Sequence, residues 1–563
     1  MFKNQPTGLY WLALANTGER FGYYTMLAIF LLFLQAKFGF DATVSGQIYA
    51  GFLALVYFMP LLGGWVADKW NFSKCVVTGI CVMFVGYAVM AIPTDIRSTS
   101  SLIILCGALL LIAIGTGLFK GNLQVMVGDL YNARYQGQRD AGFSLFYMAI
   151  NIGSMFAPMA ATAMCDWAMN GAGLTYVSTL PALCNGFLDG SVDASAVVAV
   201  AAEHGMNIGA NVSAFADHYI TTLSKGYSMA FAVACVSLIL SFLIYFTGRY
   251  SFRHIIDNKG ATQAKGAVNV GPELTPAQTK QRVVALMLVF AVVIFFWMVF
   301  HQNGATLTEF AKTCTNPDAS GFTRIGFNVW ALLSICVAVY GLFSFFQSEG
   351  VGGKVGSAIV VFLAGWAIWY FYATTPDPVV GIQPQQYQQF NPFYVVALTP
   401  VSLAIFGWLA KRKAEPSAPR KIGYGMLMAA VAYAVMTFGS ITIAGNSTSA
   451  SMSPNWLIST YLLLTFAELL LSPMGISFVS KVAPPKLKGS MMGGWFAATA
   501  IGNYLVSIPM LLWGKIPVWT VWVILIGVCL LSALFIFSMM KKLEAATSDP
   551  APASLENVED DAI

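Results

Sequence analysis

Four charged side chains lie within stretches of the sequence that are otherwise apolar. Glu19 and Arg20 are adjacent in "ANTGERFGYY". Lys120 lies in "GTGLFKGNLQ", and Glu468 lies in "LLLTFAELLL". If these stretches cross a bilayer, each charge costs about 3 kcal/mol or more unless it faces protein or water. Opposite charges in both halves of the chain therefore favour a site or gate between the halves; the alternative is that they only hold helices together.

The adjacent pair, Glu19 and Arg20, carries its own geometric expectation. Neighbouring residues on an α-helix point about 100° apart, so we expect these two side chains to meet different partners. Glu19 lies one turn before Tyr23, and Arg20 lies one turn before Tyr24. Two polar ridges should therefore run along this helix toward the same interior.

The composition is that of a membrane protein. Of the 563 residues, 57% are hydrophobic and 10% are charged, and the mean hydropathy is +0.69. Soluble domains carry about 25% charged residues. The net charge of +5 is explained by topology, so it indicates no nucleic-acid partner. The nine cysteines show no metal-ligand spacing, so we expect no cofactor or metal; whether Cys165 and Cys184 are bridged is left open.

Fourteen apolar runs are long enough to cross about 30 Å of hydrocarbon. They lie near residues 8–35, 44–67, 75–93, 102–128, 141–164, 227–247, 283–304, 326–346, 357–373, 392–410, 422–444, 456–480, 490–513 and 518–540. With the N-terminus placed in the cytoplasm, 22 of the 30 Lys and Arg residues fall on that side and 6 on the other, while Arg20 and Lys120 fall within spans. This bias predicts that both termini are cytoplasmic.

Seven short motifs occur in order along the chain. They are "ERFGYY", "GGWVADKWNFSK", "GLFKGN", "FYMAINIG", "FNPFYVVALTP", "ELLLSPMG" and "MMGGWFAATAIGNYL". From residue 11 to about residue 540, this ordered set resembles the proton-dependent oligopeptide transporter (POT) family of the major facilitator superfamily. The resemblance implies an all-α membrane protein with two six-helix bundles around a cavity that opens alternately to each side, here with two extra helices.

On this basis we divide the chain into four parts. Residues 1–247 form an N-terminal bundle with a long polar external segment, 165–226, in which "SVDASAVVAVAAEHG" predicts a short helix. Residues 248–281 form a basic cytoplasmic linker. Residues 282–542 form the C-terminal bundle, which includes the extra helix pair near 326–373, and residues 543–563 form a disordered acidic tail.

The resemblance also implies where a peptide would bind. Arg20 and Lys120 would contact its carboxylate and Glu468 its ammonium group, which suits the two ends of a zwitterion. The further cavity side chains that the resemblance implies are Asn151 and Asn391 beside the ammonium, and Tyr24, Tyr57, Trp495 and Thr499 along the middle and the side-chain pockets. For Tyr57 and Trp495, ordinary aromatic packing is the alternative interpretation. Asp68 would act in conformational change rather than in binding.

Three positions depart from the family pattern. Asn16 replaces the first Glu of the Glu-x-x-Glu-Arg-Phe motif, Leu27 replaces an Arg, and His301 in "FWMVFHQNG" replaces an acidic residue. The family residues there are tied to proton coupling and to the external gate, so proton coupling by this chain is in doubt. The remaining titratable candidates are Glu19, Glu468 and His301. His301 either switches near neutral pH or stays neutral, bonded to a backbone group or to Asn303.

These features predict a multi-pass transporter of a bacterial inner membrane that imports di- and tripeptides by alternating access and works as a monomer. One alternative is a facilitator or symporter of another small solute or a modified peptide. A second alternative, from another class, is a sensor that binds peptides without moving them. An enzyme is disfavoured, because no cluster of His, Asp and Glu for a metal or nucleophile can be assembled.

Overall fold

The protein is seen in a computed structural model that describes residues 5–131, 139–209, 211–257, 275–484 and 487–546. The helices of the first half are α1 Thr7–Phe38, α2 Ala42–Lys69, α3 Phe72–Ala91, α4 Thr99–Asp129, α5 Arg139–Gly171, α6 Leu180–Leu188, α7 Ala194–Glu203, α8 Val212–Gly248 and α9 Arg253–Asp257. Those of the second half are α10 Pro276–Phe300, α11 Thr306–Thr313, α12 Val329–Gln347, α13 Val351–Thr374, α14 Phe390–Lys411, α15 Ala418–Ser440, α16 Asn455–Val482, α17 Lys488–Leu505, α18 Ser507–Leu512, α19 Val518–Ser538 and α20 Met540–Ala545. Short 3-10 helices occur at Arg249–Phe252, His301–Gly304, Gly321–Phe327 and Pro384–Gln389.

Fourteen helical segments of the described chain are long and apolar enough to cross a membrane, as the sequence predicts. They include all or most of α1, α2, α3, α4, α5, α8, α10, α12, α13, α14, α15, α16, α17 and α19. We call the side where α1 begins the inner face and the side where it ends the outer face. The charge bias predicts that these are the cytoplasmic and external sides.

Local sequence signals fix several helix ends. Asp41 accepts a hydrogen bond of 2.7 Å from a backbone N–H in the first turn of α2. Thr275 and Gln278 form a capping box at the start of α10, which satisfies N–H groups that have no partner within the helix. At the other end of a helix, Gly39 terminates α1 with φ of 69°, a left-handed conformation that glycine adopts without strain.

Each half of the chain has its own buried apolar cluster. In the first half, α1 packs against α5 and α8, and α4 packs against α2 and α3. In the second half, α15 packs against α16 and α19, and α10 packs against α17. The halves meet where α2 contacts α17 and α18 and where α5 contacts α14. Because α1 is buried on nearly all sides, its sequence shows no single apolar stripe.

The extra helix pair, α12 and α13, lies at the periphery. The two helices pack mainly against each other, and Ser344 and Ser357 join them by a hydroxyl–hydroxyl hydrogen bond of 2.8 Å. On its other side α12 contacts α14, while most of α13 faces away from the protein. The hairpin also touches the first half, because Trp330 of α12 meets Phe156 of α5 edge to face with ring centroids 5.3 Å apart.

Several helices extend beyond the apolar runs that hydropathy picks out. Within the predicted external segment 165–226, α5 continues to Gly171 and α8 already begins at Val212. The short helix expected there is confirmed as α7, and α6 is an additional one. The predicted linker 248–281 and tail 543–563 are helical at their described edges, as α9, the start of α10 and the end of α20. Residues 258–274 and 547–563 lie outside the described residues.

The cysteines are separate from one another. All nine are free thiols, and Cys165 and Cys184 are both buried. The disulfide that the sequence left open is therefore not formed.

Candidate functional site

Glu19 and Arg20 bond to each other. The Arg20 guanidinium donates from Nε to Glu19 Oε2 at 2.5 Å and from its Nη2 to Oε1 at 2.6 Å, and both side chains are buried. The expectation that neighbours on a helix meet different partners is wrong here, because the long Arg stem lets the guanidinium fold back onto the preceding residue. The guanidinium also lies 4.8 Å from the centroid of the Tyr23 ring. Arg20 is thus neutralised within α1.

Lys120, on α4, has a different environment. Its Nζ lies 4.1 Å from the centroid of the Tyr57 ring on α2, a cation–π contact. Within the described residues it has neither an ion pair nor a hydrogen bond. In contrast to Arg20, Lys120 therefore forms no ion pair with any described carboxylate.

Glu468, on α16, is held by neutral donors from both halves. Tyr147 donates its hydroxyl at 3.0 Å, and the Asn391 amide donates at 2.9 Å and also reaches Thr465 at 3.1 Å. Glu468 is 7% exposed, and no cation pairs with it among the described residues. These two bonds orient the carboxylate while leaving its negative charge uncompensated.

Tyr147 is a contact that the sequence reasoning missed. It lies in "FYMAINIG", one turn before Asn151, and that spacing was the available signal. Asn151 itself donates its amide to the Tyr147 carbonyl at 3.0 Å, so it contacts the backbone of α5 rather than Glu468. The contact between Tyr147 and Glu468 joins α5 to α16 across the two halves.

The remaining predicted cavity residues are mostly occupied in packing. Tyr24 meets Tyr23 edge to face with ring centroids 5.3 Å apart. Trp495 is buried and lies so close to Gly475 that an added Cβ would stand 2.0 Å from its ring. Thr499 donates its hydroxyl to the Trp495 carbonyl at 2.9 Å, within α17. For Trp495 the packing interpretation describes these contacts.

His301 packs beside Lys120 and Tyr57 at the point where α10 ends. Its ring stacks on Trp297 with centroids 4.9 Å apart and lies 5.8 Å from the Tyr57 ring. Its Nδ1 is 2.5 Å from Asn503 Oδ1 on α17. The expected partner Asn303 is therefore wrong: His301 bonds to Asn503, while the backbone carbonyl of Asn303 accepts from Tyr461 and Thr308.

The other departures and the gating candidate are placed as follows. Leu27 is buried in the apolar cluster of the first half. Asn16 is 4% exposed, and its side chain makes no hydrogen bond within the described residues. Asp68 lies near the inner end of α2, and its side chain is outside the described part of the structure.

In the part of the chain that the structure describes, the site therefore combines one ion pair, Glu19 with Arg20, and two charges that form none, Lys120 and Glu468. Lys120 and Glu468 come from different halves of the chain and are the groups able to attract the opposite ends of a zwitterion. Among the described residues no group of His, Cys, Asp and Glu side chains is arranged to hold a metal ion. Two neutral donors, Tyr147 and Asn391, contact Glu468, and the aromatic ring of Tyr57 contacts Lys120.

The chain is similar to known transporters in sequence. The sequence profile of the POT family matches residues 73–184 and 359–519. The chain is 26% identical to a di-/tripeptide transporter of Lactococcus lactis subsp. lactis, over 88% of this chain and 87% of that protein. It is 24% identical to dipeptide and tripeptide permease A of Escherichia coli, over 89% and 84% of the two chains. An uncharacterized transporter of Bacillus subtilis is 27% identical, over 92% and 90%.

Solved structures show the same fold. The crystal structure of a mutant peptide transporter POT in complex with alafosfalin matches with a TM-score of 0.66 at 21% identity, covering 97% of this chain and 96% of that one. A POT family transporter in complex with a thioalcohol-conjugated peptide matches with a TM-score of 0.65 at 18% identity, covering 96% and 98%. The expected major facilitator fold is thereby confirmed.

Proposed function

Because this chain belongs to the POT family, we propose that it is a secondary active transporter that imports di- and tripeptides by alternating access. The observation that carries the proposal is the pair of unneutralised charges, Lys120 on α4 and Glu468 on α16. The names of the L. lactis and E. coli relatives support the substrate class. Because the two charges lie on different halves of one chain, a bound peptide would bridge the halves.

In this proposal Lys120 attracts the peptide carboxylate, since Arg20 is already paired with Glu19. Glu468 attracts the ammonium group, with Asn391 and Tyr147 keeping its carboxylate in place. The further cavity residues of the proposal are Tyr24, Tyr57, Asn151, Trp495 and Thr499. Buried charge-assisted contacts of this kind are about twice as strong as neutral hydrogen bonds, so the two ends would dominate affinity.

The test is uptake of labelled dialanine into proteoliposomes by the full chain and by Lys120→Ala. We expect the substitution to abolish saturable uptake, because the carboxylate loses its cation. The matched control is Lys421→Ala, which also removes a buried lysine, but one already paired with Glu415 at the inner face. Normal uptake by Lys120→Ala would contradict the site, and equal loss in both variants would indicate a general folding effect.

Proton coupling is a separate part of the proposal. Asn16, Leu27 and His301 replace the groups that the resemblance ties to coupling, which favours a facilitator or a different driving ion. The same proteoliposomes, with and without an imposed inward proton gradient, distinguish these mechanisms. Accumulation above equilibrium only with the gradient would show coupling through Glu19, Glu468 or His301. Equilibration without the gradient would support a facilitator.

We further propose a monomer in a bacterial inner membrane, with both termini in the cytoplasm. The Lys and Arg bias supports this orientation, and the location of both unpaired charges within one chain supports a monomeric transport unit. Reporter fusions at the C-terminus, active only on one side of the membrane, test the orientation. Peptide binding without any uptake would instead favour the sensor.

A further inference from the structure

A second cluster of buried polar side chains lies at the outer face and is not part of the candidate binding site. Gln35, near the end of α1, donates from Nε2 to Glu309 Oε2 on α11 at 2.7 Å. Lys312 Nζ donates to Gln35 Oε1 at 2.7 Å and to Glu309 Oε1 at 3.3 Å. All three groups are thus bonded to one another. We call Gln35, Glu309 and Lys312 the outer lock.

The outer lock is buried, although it contains a full ion pair. Gln35 is 8% exposed and Glu309 4%, and the Lys312 side chain is 11% exposed. Beside it is a cavity of about 360 Å³, which Asp41 and Asp189 also line. Asp189 is itself paired with Arg97, so its charge is balanced separately.

The lock joins separate parts of the chain. Gln35 belongs to the first half and the other two residues to the second, so two of its three bonds cross between the halves. The loop between α5 and α6 contributes as well, because Ser178 donates to the Lys312 carbonyl at 3.0 Å. From α6, Asn185 donates to the Ala36 carbonyl at 2.9 Å. The segment between α5 and α8 therefore holds both sides of the lock.

A second polar contact crosses between the halves close to the lock. Gln388 donates its amide to the Ala28 carbonyl of α1 and to the Thr308 hydroxyl of α11, both at 3.1 Å. Below them, Tyr49 of α2 lies against Gly304 so closely that an added Cβ would stand 1.8 Å from its hydroxyl. The halves are thus closed at the outer face by polar bonds above an aromatic contact.

From these contacts we propose that the outer lock is the external gate of this transporter, and that residues 172–191 act as a clamp on it. The inference rests on the proposed transport function. Separation of the halves at the outer face must break both bonds of Gln35 and expose the Glu309–Lys312 pair to water. Because water can replace each bond, the lock can open reversibly, which a purely apolar seal would resist.

The outer lock lies on the same two chain segments as the altered positions Leu27 and His301. Gln35 lies eight residues after Leu27, and Glu309 lies eight residues after His301. Leu27 carries no charge, and His301 is bonded to Asn503 within the second half. The outer lock thus connects the halves through residues that lie eight positions beyond Leu27 and His301 in the sequence.

The experiment is hydrogen–deuterium exchange, read by mass spectrometry, on the full chain in lipid nanodiscs. We expect Glu309→Gln to raise exchange about tenfold or more in residues 30–40, 172–191 and 305–315, since it removes one charge of a buried ion pair. Gln35→Met is the second variant: it keeps the side-chain length and the Glu309–Lys312 pair but removes both bonds between the halves. It should raise exchange in the same three segments.

The control is Asp377→Asn. It breaks another ion pair at the outer face, with Arg324, but both of its partners lie in the second half. Exchange in the three segments should be unchanged in this control. Unchanged exchange in Gln35→Met, or an equal rise in Asp377→Asn, would overturn the assignment. The exchange measurement needs no substrate, so it is independent of the uptake assay. If the variants raise exchange as expected but the native chain takes up no peptide, the transport proposal is refuted while the assignment of the outer lock still stands.

Discussion

Replacement of Glu468 by glutamine gives the sharpest test of how a peptide would be recognised. Glu468 accepts from Tyr147 and Asn391, and no cation pairs with it in the described part of the chain. Its charge is thus available to an ammonium group. Removing one partner of a buried charge pair costs about 2–5 kcal/mol, and each 1.4 kcal/mol is a factor of ten in affinity. Glu468→Gln should weaken dialanine binding by about 30-fold to several thousandfold.

The structural cost of the same substitution is much smaller. Glutamine has nearly the same shape, and its carbonyl oxygen can still accept from Tyr147 or Asn391. A hydrogen bond to the side chain is disturbed in both the empty and the loaded protein, so most of its loss cancels in the affinity and a residual change of about 1 kcal/mol, or about fivefold, remains. The affinity for a ligand without the ammonium group should therefore change only by this smaller amount.

The assay compares two ligands by competition against labelled dialanine uptake. The first ligand is dialanine, and the second is N-acetyl-dialanine, which keeps the carboxylate but lacks the ammonium charge. We expect Glu468→Gln to abolish the preference of the native protein for dialanine and to change competition by N-acetyl-dialanine by about fivefold or less. An equal loss for both ligands would refute the reasoning, because Glu468 would then be a structural residue.

Three further predictions follow from individual residues and contacts. Asn16→Glu should not strengthen the pH dependence of uptake, because the new carboxylate finds Glu19 already paired with Arg20; a clear gain in proton-driven accumulation would show that this single position had silenced coupling. Alkylation of the denatured, unreduced chain should add nine adducts by mass, since all nine cysteines are free, and a deficit of two would reveal a disulfide. At the inner face, hydrogen bonds from Ser417 and Arg420 lower the pKa of Glu544, so the contact that they make is complete above the ordinary carboxyl pKa and is lost as the pH falls through the lowered value. Amide exchange of α20, corrected for the intrinsic pH effect, should rise in that acidic range, and Arg420→Gln should reduce this pH dependence.

The sequence predicts helices far better than it predicts contacts. Length and hydropathy determine the fourteen spans because the bilayer sets one minimum thickness for all of them. The pairing of Glu19 with Arg20 was missed because helix geometry fixes where a side chain starts, but not how far a flexible stem bends. The bond between His301 and Asn503 was missed because its partners are 202 residues apart and meet only through tertiary packing. Tyr147 was overlooked because its only signal is a one-turn spacing within a motif.

Four charged groups, Glu19, Arg20, Lys120 and Glu468, set the net charge of the candidate site. With each group in its ordinary ionised state, the charges of Glu19 and Arg20 sum to zero, and so do those of Lys120 and Glu468. A zwitterionic peptide adds no net charge, so neither the empty nor the loaded cavity carries net charge from these four groups. A membrane potential is worth about 2.3 kcal/mol per elementary charge per 100 mV, and it can act on the cavity only through an additional ion. The departures at Asn16, Leu27 and His301 each leave a neutral or weakly basic group where the resemblance places a charged one. A coupling ion would therefore bind at the four charged groups or at His301, and not at a further buried carboxylate at positions 16, 27 or 301.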